Sequence, residues 1–157
     1  NVIADITNMA GTMQKIISSA AIGAFLRSTK MDQLVWKHRI YEAVMNRNKD
    51  LKEIDDQRQS RFGKWYYEGD GRKRFSTLPS YNALEKPYGQ LHRKGREAIQ
   101  LIEQSRWSDA LSALKEMEQS SLEFMRLMDA LEKEANNAAA QLALTAAQET
   151  SGAAELF

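Results

Sequence analysis

The chain has 157 residues, with 22 Lys and Arg against 21 Asp and Glu and a formal net charge of +1, so no global field draws it toward nucleic acid or an anionic membrane. It contains no cysteine, which excludes disulfides, thiolate metal sites and thiol catalysis and fits a reducing, cytoplasmic setting. The length suits one domain with a real core. The longest largely apolar stretch, residues 16–26, includes two serines and falls far short of the ~20 residues of a membrane span, so no direct membrane insertion is expected.

Residues 1–30 carry Ile6, Met13 and Ala20 at seven-residue intervals with Met9, Ile16 and Gly23 between them, the three-four spacing of a seam that pairs with another helix. Over residues 31–48, Leu34, Tyr41 and Met45, joined by Trp36, Ile40 and Val44, cover a wider face, as in a core helix of a bundle. Neither Pro nor Gly separates the two segments after Gly23, so one long helix is expected, its first part leaving the bundle. A second helix is expected over residues 51–67, with Asp50 as N-cap, Glu53 in a capping-box position, and Leu51, Ile54, Phe62 and Trp65 on its buried side.

Residues 60–71, SRFGKWYYEGDG, crowd Gly63, Trp65, Tyr66, Tyr67, Gly69 and Gly71 into nine positions. Such a run reads as a helix whose last turn is aromatic and which stops at the paired glycines, with Gly63 allowing a close approach; the expectation is an aromatic plug at one end of a bundle. A loop follows over 68–80, and its Arg72, Lys73 and Arg74 lack the interleaved aromatics of a nucleic-acid surface. A helix is expected from Pro87, presenting Tyr88, Leu91, His92, Gly95, Ile99 and Ile102 on one face. The last helix is expected from Ser108 as N-cap, through Leu111, Leu114, Met117, Phe124, Met128 and Leu131, into an alanine-rich tail fit for close packing against another helix. No strand alternation or fixed repeat is present.

Three blocks, DQLVWKHRIY at 32–41, SRFGKWYYEGDG at 60–71 and FSTLPSYNALEKPYGQLHRKG at 75–95, resemble in order and separation the signature blocks of the chemoreceptor zinc-binding (CZB) domain family, over about residues 31–102. The resemblance implies an all-α, antiparallel four-helix-type bundle in bacterial chemotaxis receptors or diguanylate cyclases. It also implies long N- and C-terminal helices extending into coiled coil. On this reading residues 1–30 lead into the bundle, 31–134 form it and 135–157 are the C-terminal helix. The chain is then part of a longer cytoplasmic protein, a homodimer through its terminal helices that works with the rest of a receptor. No nucleic-acid partner is expected. No catalytic constellation can be nominated from the spacing, so a sensory or regulatory module is expected and not an enzyme.

The resemblance places the family's three histidines and one cysteine at positions 33, 60, 88 and 92, which here are Gln33, Ser60, Tyr88 and His92. Tetrahedral zinc takes imidazole nitrogens and thiolate at about 2.0–2.3 Å, and two ligands four apart on a helix supply adjacent corners. An amide, an alcohol and a phenol with pKa near 10 lack the charge and softness that select zinc, so no zinc or other cofactor is expected. Trp36, the aromatic run, Pro87 and Gly95 keep the family's pattern around the site. His38 lies about 140° round the helix from position 33 and is expected at the surface or between helices. The four polar residues are expected to face one another across the core, with room for one water. They would form either a network that only satisfies buried groups or a pocket for a small polar ligand or a proton, His92 titrating near pH 5 to 8. A purely structural dimerisation module, and a zinc-responsive regulator with a non-standard ligand set, are the alternatives.

Overall fold

The computed structural model describes residues 1–46, 54 and 56–155, the side chains of 153–155 apart. Among these there are six helices and no strand, in the order α1 (Val2–Asn46), α2 (Arg61–Tyr67), α3 (Asp70–Phe75), α4 (Pro79–Ala83), α5 (Glu85–Glu103) and α6 (Trp107–Glu155). The chain is therefore all-α. Helices α1, α5 and α6 form three sides of a bundle, and the short α2, α3 and α4 close the fourth.

Helix α1 is continuous, as the unbroken pattern without Pro or late Gly requires. It runs antiparallel to α6, and the pairs Arg27–Glu132 (3.1 Å), Lys30–Asp129 and Lys37–Glu118 (3.1 Å) fix the register. Each pair joins an exposed side chain to a partly buried one and sits at the edge of the helix contact, where it contributes alignment more than stability. The buried stripe of α1 is Ile22, Leu26, Thr29, Gln33, Trp36, Ile40 and Ala43, an alternation of three and four. Leu34 and Met45, expected on that face, are instead 50% and 78% exposed, because the stripe centres one position away from them. On α6, Met117, Phe124, Met128 and Leu131 are fully buried, whereas Leu111 is exposed.

Four helix boundaries differ from the sequence reading. Residues 56–60 are turns and not helix: the Asp56 carboxylate accepts from the backbone N–H groups of Arg58 (2.8 Å) and Gln59 (3.0 Å), the local competition that aspartate offers to helix hydrogen bonds. The expected Asp50 cap, Leu51 and Glu53 lie outside the described residues. The segment expected as a loop over 68–80 contains α3 and the start of α4, the latter opened by Pro79 in its first turn, where a missing N–H costs nothing. Helix α5 starts at Glu85, so Pro87 falls inside its first turn by the same logic. Helix α6 starts at Trp107, with the Ala110 N–H bonded to the Arg106 carbonyl, so Ser108 lies within the first turn and is no cap.

The aromatic run packs as one body. Phe62 touches the rings of Trp65, Tyr66, Tyr88 and Phe124 at 4.8–5.6 Å between centroids. Tyr66 and Tyr81 stack at 4.3 Å, and each hydroxyl donates to the other's backbone carbonyl. Burial holds both phenols above their ordinary range. Gly63 is required here: a Cβ on it would lie 1.9 Å from the Gln57 carbonyl oxygen, so only glycine lets the turn at 57–60 fold back on α2.

Beyond the bundle, α1 from Val2 to Ala21 buries no side chain fully, and Val2, Ile3, Ile6, Met9 and Met13 are 55–75% exposed. On the facing end of α6, Ala135 and Ala139 are buried, where small residues let the helices approach closely. No helix among the described residues is long and apolar enough to cross a membrane.

Candidate functional site

Gln33, Ser60, Tyr88 and His92 line a single pocket of about 340 Å³ between α1, the start of α2 and α5. Helix periodicity explains the assembly. On α1, Thr29, Gln33 and Trp36 share the inward stripe, and Asp32, Val35 and Arg39 form the next stripe, at the rim. On α5, Tyr88 and His92 are one turn apart and both fully buried. Ser60 is delivered by the turn that precedes α2.

Ser60 is the N-cap of α2. Its hydroxyl accepts from the Gly63 N–H at 2.9 Å, contacts the Gln57 carbonyl at 3.1 Å and pairs with the Tyr88 hydroxyl. A serine hydroxyl has one proton and two lone pairs. With the proton given to Gln57 and the Gly63 and Tyr88 donors received, all three are used.

The other two polar residues differ. Among the described residues Gln33 Oε1 and both ring nitrogens of His92 have no hydrogen-bond partner, although Gln33 is 4% and His92 2% exposed. The expected closed network of four is therefore only half formed. Ser60 and Tyr88 bond each other because the cap places them together, and no described side chain completes Gln33 or His92. Each orphan costs about 1–3 kcal/mol of desolvation.

His92 sits between two rings, Trp36 at 4.2 Å between centroids and Tyr88 at 4.7 Å, the latter edge-on. Burial pushes its pKa down from 6.5 to about 4, with the Asp56 carboxylate partly opposing and the Arg96 guanidinium adding to the depression. It is thus a neutral imidazole at neutral pH. Titration near pH 5 to 8, expected from the residue type, is overturned by desolvation. Gly95, one turn further on, gives the Trp36 ring its place: a Cβ there would meet Trp36 Cη2 at 2.6 Å.

The pocket mouth is charged. Arg61 donates to the Asp32 carboxylate through Nε (3.1 Å) and Nη2 (2.8 Å). Arg39 has neither an ion-pair nor a hydrogen-bond partner among the described residues. The sequence reading singled out none of Asp32, Arg39 or Arg61, although the spacing of Asp32 and Arg39, seven apart beside Gln33, was available to show it. His38 lies outside the pocket, exposed and 3.1 Å from Glu42.

The residues present do not fit zinc. Ser60 has its hydrogen-bonding capacity filled by the cap, and Gln33 offers a neutral amide, which leaves His92 as one imidazole where four soft or nitrogen ligands are needed. Among the described residues no group of three His, Asp or Glu side chains is placed to hold a metal ion. The same set can do simple polar recognition: donors and acceptors on an aromatic-walled floor, with a cation at the mouth.

Residues 33–99 match the family model described as the chemoreceptor zinc-binding domain. No curated protein and no solved structure matches the chain.

Proposed function

With residues 33–99 a chemoreceptor zinc-binding domain, we propose that the chain is a sensory or regulatory module of a bacterial chemotaxis receptor, acting in the cytoplasm, without catalytic activity and without zinc. One observation carries this reading. The four positions where the family's ligands meet are kept as a polar-floored pocket, with Gln33 and His92 left unpartnered at a cost, where a merely structural bundle would close with apolar side chains. Gln33 stands on the same unbroken helix as Val2, about 46 Å away at 1.5 Å per residue, so a change at the pocket is passed to the end of α1 as a rigid displacement.

The exposed apolar stripe Val2, Ile6, Met9 and Met13 favours association of two chains through their terminal helices. That stripe equally supports a dimerisation module that senses nothing, and signalling output separates the two. In an intact receptor carrying this segment, Gln33→Leu should shift the activity of the associated kinase. An output unchanged by this variant, with the receptor folded and dimeric, would leave only the structural role.

A further inference from the structure

We propose that the pocket over Gln33 and His92 binds a small hydroxycarboxylate, its carboxylate on the Arg39 guanidinium and its hydroxyl on the buried amide and imidazole. The inference rests on the sensory reading of this pocket and names the ligand class that reading leaves open.

The mouth sets the charge. Asp32 is engaged by Arg61, and Arg39 has no ion-pair or hydrogen-bond partner among the described residues, so two guanidinium groups face one carboxylate and a single positive charge remains. A planar guanidinium fork matches a carboxylate in shape and charge. A ligand ammonium would instead meet Arg39 and Arg61, with the Asp32 carboxylate engaged by Arg61 and the Asp56 carboxylate, outside the lining, engaged by the Arg58 and Gln59 N–H groups.

The floor sets the second group. Gln33 Oε1 needs a donor, and the neutral imidazole of His92 brings one donor and one acceptor. A bare carboxylate carries acceptors only and would leave the amide oxygen unsatisfied. A hydroxyl both donates and accepts. Between mouth and floor, Val35, Trp36 and Phe62 give apolar walls for a short carbon chain, and about 340 Å³ is far more than a single water's ~30 Å³ share of liquid volume.

The test is isothermal titration of the 157-residue chain with glycolate and lactate, against acetate and inorganic phosphate at constant ionic strength. The expected result is one site for glycolate or lactate, at least tenfold weaker binding of acetate, and at least a tenfold loss in Arg39→Gln. That side chain is exposed, so the variant keeps the fold; Gln33→Leu, checked for unchanged helicity, should lose as much. No binding of either hydroxy acid at millimolar concentration, acetate or phosphate binding as tightly, or affinity indifferent to Arg39→Gln would each overturn the assignment. Binding that leaves receptor output unchanged would count against the sensory reading and not the ligand class. An output shifted by Gln33→Leu in a chain that binds no hydroxy acid would count the other way.

Discussion

His92 gives the sharpest thermodynamic prediction, because its folded and unfolded protonation differ through burial alone in the main. Its pKa is about 4 in the folded chain and 6.5 when exposed. The folded-state value is lowered, so the unfolded chain takes up the proton first as pH falls. The contribution of neutral His92 is fully present above pH 6.5 and is lost progressively between 6.5 and 4. At 1.36 kcal/mol per pKa unit the whole loss is about 3 kcal/mol, and about 2 kcal/mol of it falls between pH 7.5 and pH 5. To isolate this one group, the comparison is with His92→Phe, which fills the space between Trp36 and Tyr88 and cannot charge. Urea unfolding of both proteins, at equal chain concentration and followed by circular dichroism, should show the wild type losing about 2 kcal/mol more than the variant on going from pH 7.5 to pH 5. Parallel losses in the two proteins would refute a buried, neutral His92. A wild type that gains on the variant at low pH would mean that the imidazolium has found a carboxylate.

Ser60→Ala removes the cap on the Gly63 N–H and the partner of Tyr88 together, and should cost about 1–2 kcal/mol in the same unfolding experiment. Gly95→Ala puts a methyl group 2.6 Å from the Trp36 ring and should cost about 1–3 kcal/mol, with a shift in tryptophan emission as the indole is displaced. Glu134 accepts from both the Ser80 N–H (2.9 Å) and the Ser80 hydroxyl, so Glu134→Ala should release the start of α4 and raise amide exchange there before it affects α5. The triple replacement Gln33→His, Ser60→Cys and Tyr88→His, with His92 retained, should create stoichiometric zinc binding and raise the unfolding midpoint when zinc is added. A triple variant that folds and takes no zinc would show that the pocket no longer holds these four positions at ligand distance.

The sequence carried the long helices well because their signals are summed over many turns. The inward stripe through Trp36 and Ile40, and the face Tyr88, Leu91, His92, Gly95 and Ile99, followed from spacing. It carried the short helices poorly. At α3 and α4 the deciding facts are a turn at Gly69 and a proline at the first position of α4, events of one residue that a periodicity reading passes over. The turn over 56–60 was missed because Asp56 bonds two backbone N–H groups that a helix would also have used. At the site, the meeting of positions 33, 60, 88 and 92 was implied by the family's pattern, and the structure brings their side chains to one pocket. What spacing could not give was the pairing within it. Ser60 turns to its own helix and to Tyr88, and Gln33 and His92 are left over, which depends on where the cap points and not on residue type.

The central claim, that this bundle stands without the zinc of the domain family whose model residues 33–99 match, is tested most directly by the metal content of protein purified without chelator, read with thermal unfolding in added zinc and in chelator. The expected result is far less than one zinc per chain and unfolding curves that superimpose under both conditions. Stoichiometric zinc, with a midpoint that rises with the metal and falls with the chelator, would contradict the claim and require His92 to have recruited ligands other than Gln33, Ser60 and Tyr88.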